Sequence, residues 1–176
     1  MKRAAFALIA LAAALAAAPA SAQIAGCSKF RDAMTKAGGD LNVDFIRPLV
    51  VSRGDGGGVE TWDLTSKARI DGVLRCRAEA FVSFEATLHM PADAALIERY
   101  TAAQTAALVA GLGWQHARAK GKAESLGRDA AEYLRGSAER GDVVVAGKVE
   151  EHLPGGVDLG AIWTSTDRTF ILVNAD

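Results

Sequence analysis

Two carboxylates, Asp63 and Glu79, are the residues whose expected placement brings acid–base chemistry into consideration. The predicted pairing of the strand that contains Asp63 with the strand that contains Glu79 sets them opposite each other on the outward face of a sheet. Adjacent carboxyl groups can divide the roles of acid and base, because each disfavours ionisation of the other. Arg77 lies diagonal to the pair and would soften this effect, as on an ordinary solvated sheet surface. The pair therefore supports a small hydrolase only as an alternative hypothesis.

The three histidines, His89, His116 and His152, do not form a metal-binding pattern. They show none of the short spacings of zinc sites, and no cysteine is spare to join them. His89 and His152 fall at outward positions of predicted strands, where ordinary surface histidines are expected. The sequence also lacks the Gly-x-Ser-x-Gly motif of a hydrolase nucleophile. We therefore predict no metal, no cofactor and no catalytic residue from these motifs.

A glycine-rich segment, Gly54 to Gly58, resembles a phosphate-binding loop only in composition. Such loops lead from a strand into the start of a helix, where free N–H groups hold the anion. This segment leads instead into Val59 to Leu64, which alternates as a strand does. We interpret it as a hairpin loop and expect no bound nucleotide.

The two cysteines, Cys27 and Cys76, are predicted to form a disulfide bond. They are the only cysteines in the chain, and an oxidising compartment favours their pairing. Cys27 lies on the apolar face of a predicted helix and Cys76 on the inward face of a predicted strand. The bond would fix the N-terminal helix to the sheet.

Residues 1–22 have the three parts of a cleavable secretory signal peptide. Lys2 and Arg3 precede an uninterrupted apolar run, residues 4–18, and residues 20–22 are the small Ala-Ser-Ala of a cleavage site. The run is shorter than the roughly 20 residues of a membrane span. We predict a bacterial protein whose single domain, residues 23–176, is periplasmic or secreted without a transmembrane anchor. A lipoprotein anchored through Cys27 is the alternative, since residues 24–27 resemble a lipobox.

The charge of this domain argues against a nucleic-acid partner. Removal of Lys2 and Arg3 leaves 18 of the 20 Lys and Arg residues against 21 Asp and Glu, a net charge near −3. No basic stripe is present to neutralise phosphates.

Three helices are predicted. The first begins near Cys27 and ends at Gly38, because Cys27, Phe30 and Met34 recur at helical spacing. The second begins near Pro91 and ends at Leu112; it is rich in alanine and has a narrow polar face, so it either is buried within the domain or contacts a partner. The third covers Glu124 to Arg140.

Strands precede and follow the helical pair. The ranges are Val43 to Val51, Val59 to about Arg69, an alternating run from Leu74 to Met90, then Val143 to Leu153, Leu159 to Thr164 and Arg168 to Val173. The last two are expected to form a hairpin that sets Trp163 beside Phe170 and Ala161 beside Leu172. The sequence therefore predicts an α+β domain with a mainly antiparallel sheet, packed against an N-terminal helix and a central helical pair.

The register of the first hairpin follows from its loop. A three-residue loop at residues 70–72, with Gly72 left-handed, keeps the apolar residues on one face, whereas a one-residue slip would move every side chain across. The expected pairs are Ala68 with Leu74, Ser66 with Cys76, Leu64 with Ala78 and Trp62 with Ala80. Asp63 then faces Glu79, and Phe81 points outward.

The leading functional hypothesis is a non-enzymatic domain that binds an envelope protein or another envelope component. An exposed aromatic such as Phe81 can anchor a partner, and the alanine-rich helix is the other expected contact surface. A carrier of a small apolar ligand is a further alternative, with a pocket lined by Trp62, Leu96, Tyr100 and Leu108.

Overall fold

The computed structural model describes residues 24, 26–46, 58–66, 70–143 and 145–175. Within these ranges the chain forms three α-helices and one seven-stranded antiparallel sheet, which confirms the predicted α+β class. The predicted signal peptide and most of the glycine-rich loop lie outside the described residues. Within the described ranges, every helix is too short or too polar to cross a membrane.

The helices are α1 (Cys27–Gly38), α2 (Ala94–Leu112) and α3 (His116–Arg140), and a 3-10 turn, Gly39–Leu41, follows α1. The strands are β1 (Asp44–Ile46), β2 (Val59–Thr65), β3 (Asp71–Arg77), β4 (Ala80–His89), β5 (Gly147–Leu153), β6 (Val157–Trp163) and β7 (Asp167–Asn174). Their order in the sheet is β1-β2-β3-β4-β7-β6-β5. The last strand therefore lies beside β4 and joins the two halves of the sheet.

Helix α1 packs on the sheet as its spacing predicts. Cys27, Phe30 and Met34 are buried, and the Phe30 ring lies 4.9 Å from that of Phe81 between centroids. The predicted disulfide between Cys27 and Cys76 of β3 is confirmed, with 6.0 Å between the Cα atoms. On the chain-entropy model, closing a loop of this length stabilises the fold by about 4 kcal/mol.

Helices α2 and α3 form the predicted pair, and ten of the 19 residues of α2 are buried. The Asp93 carboxylate caps α2 by accepting a hydrogen bond from the backbone N–H of Leu96 at 2.8 Å. Helix α3 begins at His116, eight residues before its predicted start at Glu124. Its early turns are helical because Ala119 and Ala123 continue the buried stripe of Leu126 and Ala130.

The alternating run from Leu74 to Met90 is two strands, and Phe81 is buried rather than exposed as predicted. A turn at Ala78 and Glu79 separates β3 from β4, with both residues at positive φ. Cys76 pairs with Phe81 and Arg75 with Ser83, so Val82 is an unpaired bulge residue. One extra residue moves the side chains before it to the opposite face. Phe81 is therefore 3% exposed.

The predicted register between β2 and β3 is wrong by six residues. Trp62 pairs with Leu74, and Leu64 pairs with Gly72, which lies inside β3 rather than in a loop. A shift by an even number preserves the faces, so the inward residues of β2 were predicted correctly although their partners were not. The physical reason is the connection: β2 ends at Thr65 and β3 begins at Asp71, which requires a longer loop than three residues.

The β6–β7 hairpin also differs from its prediction, by two residues. Trp163 pairs with Arg168 and Ala161 with Phe170, instead of Trp163 with Phe170. The connection is closed by Thr164, whose N–H donates to the Asp167 carbonyl at 2.8 Å. This bond extends the pairing to the very end of β6. Trp163 and Arg168 therefore lie side by side at the tip of the hairpin.

Candidate functional site

A hollow of about 330 Å³ opens between α2, α3 and the tip of the β6–β7 hairpin. We call it the Tyr100 cleft. Helix α2 contributes Ile97, Tyr100, Thr101 and Gln104; α3 contributes Ala123, Glu124, Gly127, Arg128 and Ala131; the hairpin contributes Trp163 and Arg168. Its volume lies near the lower end of the range of about 300–1,000 Å³ that small-molecule pockets occupy.

The α3 wall of the Tyr100 cleft is made of small residues. Ala123, Gly127 and Ala131 follow one another at four-residue spacing and therefore share one helix face. A Cβ at Gly127 would lie 3.3 Å from Cζ2 of Trp163, so the indole ring packs directly on the helix backbone. The small residues leave the space of the cleft open, and Trp163 provides a flat aromatic wall.

The α2 side of the cleft carries buried polar groups. Tyr100 is 2% exposed and Gln104 is 3% exposed. The Tyr100 hydroxyl lies 3.4 Å from the backbone carbonyl of Ala86, to which it donates. Burial raises the pKa of this hydroxyl above its ordinary value, against the smaller opposing effect of a hydrogen bond with Gln104. The phenol therefore stays neutral at ordinary pH and presents a polar atom within apolar surroundings.

Arg168 stacks on Trp163 at the hairpin tip, with its guanidinium carbon 4.2 Å from the ring centroid. Burial lowers the pKa of Arg168 below its ordinary value; the group nevertheless remains a cation, as arginine does in proteins. Within the described part of the chain, no carboxylate forms an ion pair with it. The Trp163 Nε1 atom is also buried, and it has no hydrogen-bond acceptor among the described residues.

Charged residues of α3 form the rim of the cleft. Arg128 is exposed there, one residue after Gly127. Glu124 contributes the opposite charge, and its Oε1 atom lies 3.9 Å from Nζ of Lys120. The rim is thus charged, whereas most of the wall beneath it is apolar.

The structure separates the two carboxylates of the hydrolase hypothesis. Asp63 pairs with Val73, and Glu79 lies in the β3–β4 turn, at least about 13 Å further along the sheet at the usual rise per residue. The carbonyl of Glu79 accepts a hydrogen bond from the N–H of Cys27 at 2.7 Å. The predicted acid pair is wrong because it depended on the incorrect β2–β3 register.

The four residues predicted to line a carrier pocket do not all line this cleft. Trp62 is half-buried and stacks on Arg31 of α1, with 3.7 Å from the guanidinium carbon to the ring centroid. Leu108 is fully buried in the core. Of the three predicted binding residues, Phe81, Trp62 and Tyr100, only Tyr100 lines the cleft. Trp163 and Arg168 were missed, because only the correct hairpin register sets them side by side at the cleft. Gly127 was missed because its role depends on the Trp163 ring that packs on it.

A second hollow, of about 350 Å³, lies along β5, β6 and β7. Ile162 and Ile171 line it, and its charged residues are already paired with one another or with neighbours. His152 Nδ1 lies 2.6 Å from Oδ1 of Asp158, and Lys148 Nζ lies 2.8 Å from Oε1 of Glu150. These pairs leave its polar groups satisfied, which makes it the weaker candidate.

His89 lies between two carboxylates at one end of the sheet. Its Nε2 atom is 2.8 Å from Oδ2 of Asp71, and its Nδ1 atom is 2.6 Å from Oδ1 of Asp167. The hydrogen bond with Asp71, and then that with Asp167, raise the pKa of His89 above its ordinary value. Among the described residues, no group of histidine, cysteine or acidic side chains is arranged to hold a metal ion. The sequence could not reveal this cluster, because it requires β7 to lie beside β4.

Comparison with known proteins adds no family to this description. No protein-family model, no curated protein and no solved structure matches the chain.

Proposed function

We propose that this protein binds a small, largely apolar molecule in the Tyr100 cleft. The observation that carries the proposal is the composition of the cleft: small residues of α3 and the Trp163 ring form apolar walls around a few recessed polar groups. Small-molecule sites commonly combine apolar walls with a small number of placed polar groups. A flat ring fits this space best, because it can stack against Trp163.

The competing hypothesis is a non-enzymatic domain that binds an envelope protein or another envelope component. The two surfaces predicted for such a partner give it less support. Phe81 is enclosed by α1 and packs on Phe30, so its side chain is not available at the surface. More than half of α2 is buried within the domain. Of the binding hypotheses raised by the sequence, the small-ligand carrier is the one that keeps a candidate site.

We further propose that the protein works in the periplasm or outside the cell. Residues 1–22 have the pattern of a cleavable signal peptide, and a disulfide is favoured in an oxidising compartment. The sulfur of Cys27 cannot carry a diacylglyceryl thioether while it is bonded to Cys76, which favours cleavage before Gln23 over the lipoprotein alternative. Mass spectrometry of the exported protein without reduction tests this: we expect an N-terminus at Gln23, and a diacylglyceryl mass on Cys27 would overturn it.

Ligand binding can be tested with a neutral aromatic probe, 2-naphthamide, and ¹H–¹⁵N NMR of the tryptophan indole groups. Trp163→Phe assigns the Trp163 indole signal, and Trp62 and Trp114 provide internal controls outside the cleft. We expect saturable movement of the Trp163 signal with little change in the other two. Equal movement of all three signals, or none, would show that the cleft does not bind the probe.

A further inference from the structure

We infer that the natural ligand of the Tyr100 cleft is an organic anion, a small apolar carboxylate whose carboxyl group binds Arg168. This inference rests on the proposed function and specifies its ligand. It follows from three features of the cleft: a cation without an ionic partner, the commitment of nearby acids to other groups, and a second cation on the rim.

Arg168 is held in a way that leaves it able to bind an anion. Its guanidinium carbon lies over the Trp163 ring, 4.2 Å from the ring centroid. The N–H donors of a guanidinium point outward in its own plane, where they match the two oxygens of a carboxylate. A cation–π contact holds Arg168 at the ring and is not itself a hydrogen bond of its N–H donors.

Two acidic residues lie near Arg168, one next to it in sequence and one on the wall of the cleft, and both interact with other groups. Asp167 accepts from Thr166 Oγ1 at 2.7 Å through one oxygen and contacts His89 at 2.6 Å through the other. Glu124 faces Lys120 along its own helix. Among the described residues, no carboxylate is therefore paired with Arg168. An adjacent anion stabilises a partly desolvated cation, and a ligand carboxylate would supply that anion.

Arg128 adds a second positive charge to the same cleft. The two guanidinium groups outnumber the single carboxylate of Glu124, so the cleft favours an anion over a cation of the same shape. The apolar walls would hold the hydrocarbon part of the ligand.

Three probes of nearly equal shape test the charge of the ligand: 2-naphthoate, 2-naphthamide and 2-naphthylmethylammonium. Affinity is measured from the Trp163 indole signal of the full domain. We expect 2-naphthoate to bind about tenfold more tightly than the amide, the factor typical of one charge-assisted hydrogen bond. The ammonium probe should bind more weakly than both.

Variants assign the preference to Arg168. Arg168→Gln should remove the advantage of 2-naphthoate over 2-naphthamide, and Arg168→Lys should retain part of that advantage. Arg135→Gln is the matched control, because Arg135 is an exposed arginine of α3 that faces Glu139 at 3.9 Å. Far-ultraviolet circular dichroism and the thermal unfolding midpoint verify that each variant folds.

The outcomes separate the two proposals. If 2-naphthamide binds and 2-naphthoate binds no more tightly, the inference of an anionic ligand is overturned while the proposed function stands. An advantage for 2-naphthoate that survives Arg168→Gln would also overturn it. If none of the three probes moves the Trp163 signal, the proposed function itself fails.

Discussion

Trp163 and Arg168 are directly opposite each other across the β6–β7 hairpin, and their side chains stack at 4.2 Å. Residues paired in this way share one face of the sheet, here the face that carries the helices. The pairing places the indole ring against the backbone of α3 at Gly127 and the guanidinium beside α2. One register therefore builds both the aromatic wall and the charged end of the Tyr100 cleft.

Filling the cleft from α3 should abolish probe binding without unfolding the protein. Ala131 lines the cleft but is exposed, so Ala131→Phe places a ring in the space without breaking the core. We expect at least about a tenfold loss of affinity for 2-naphthamide. Ala138→Phe, at another exposed alanine of α3, is the control and should bind normally. Equal affinity in both variants would place the probe elsewhere.

The sequence predicts the faces of the elements better than their partners. Periodicity identified α1, the inward face of β2 and the disulfide, because each depends on local spacing and on side chains that must be buried. Registers depend on loop length, and both predicted hairpin registers were wrong. The acid pair of Asp63 and Glu79 failed with the first register, and Trp163 beside Arg168 was missed with the second.

Phe81 shows why a bulge is difficult to predict. The turn at Ala78 and Glu79 lacks the Asn-Gly or Asp-Gly pair that usually marks a two-residue hairpin, and nothing in the alternation of residues identifies Val82 as the extra residue. The sequence pattern therefore predicts one continuous strand where the structure has a turn between two strands. The α+β class was unaffected, because it depends on the order of strands and helices and not on one residue.

Truncation of Phe81 tests its burial. Phe81→Ala should lower the free energy of unfolding by about 3–5 kcal/mol, since it removes a ring packed against Phe30 in the core. Tyr133→Ala is the control, because Tyr133 is 60% exposed and its loss should change stability by no more than about 0.5 kcal/mol. Urea unfolding measures both, and similar effects of the two substitutions would contradict the position of Phe81.

Loss of the disulfide should destabilise the domain by about 2–4 kcal/mol. The double variant Cys27→Ser, Cys76→Ser removes the cross-link between these two positions of the unfolded chain and so increases the entropy of the unfolded state. Urea unfolding with and without a thiol reductant provides the comparison. The reductant should lower the stability of the wild type and leave the variant unchanged; a wild type insensitive to complete reduction would argue against this role.

The His89 cluster should make stability depend on pH. Asp71 and then Asp167 raise the pKa of His89 above 6.5, so its stabilising contribution is fully present below that pH and is lost as pH rises through the raised value. Hydrogen bonds from Thr166 and then His89 lower the pKa of Asp167 below 3.8. Its contribution is present above that pH and is lost as pH falls through the lowered value.

The matching measurement compares the urea midpoints of wild type and His89→Gln across this range. The urea midpoint of the wild type should exceed that of the variant most between pH 3.8 and 6.5, and the difference should disappear as pH rises through the raised pKa of His89. His116→Gln, at the exposed start of α3, controls for loss of a histidine outside the cluster. A difference between wild type and His89→Gln that does not change with pH would rule out an ionic contribution from His89.

The central claim is that the Tyr100 cleft binds a small apolar anion, and a crystal structure of the domain with 2-naphthoate tests it most directly. We expect the ring in the cleft, in contact with the Trp163 side chain, and both carboxylate oxygens within about 3 Å of the Arg168 guanidinium nitrogens. Clear density for the protein with no probe in the cleft, or with the probe bound only elsewhere, would contradict the account.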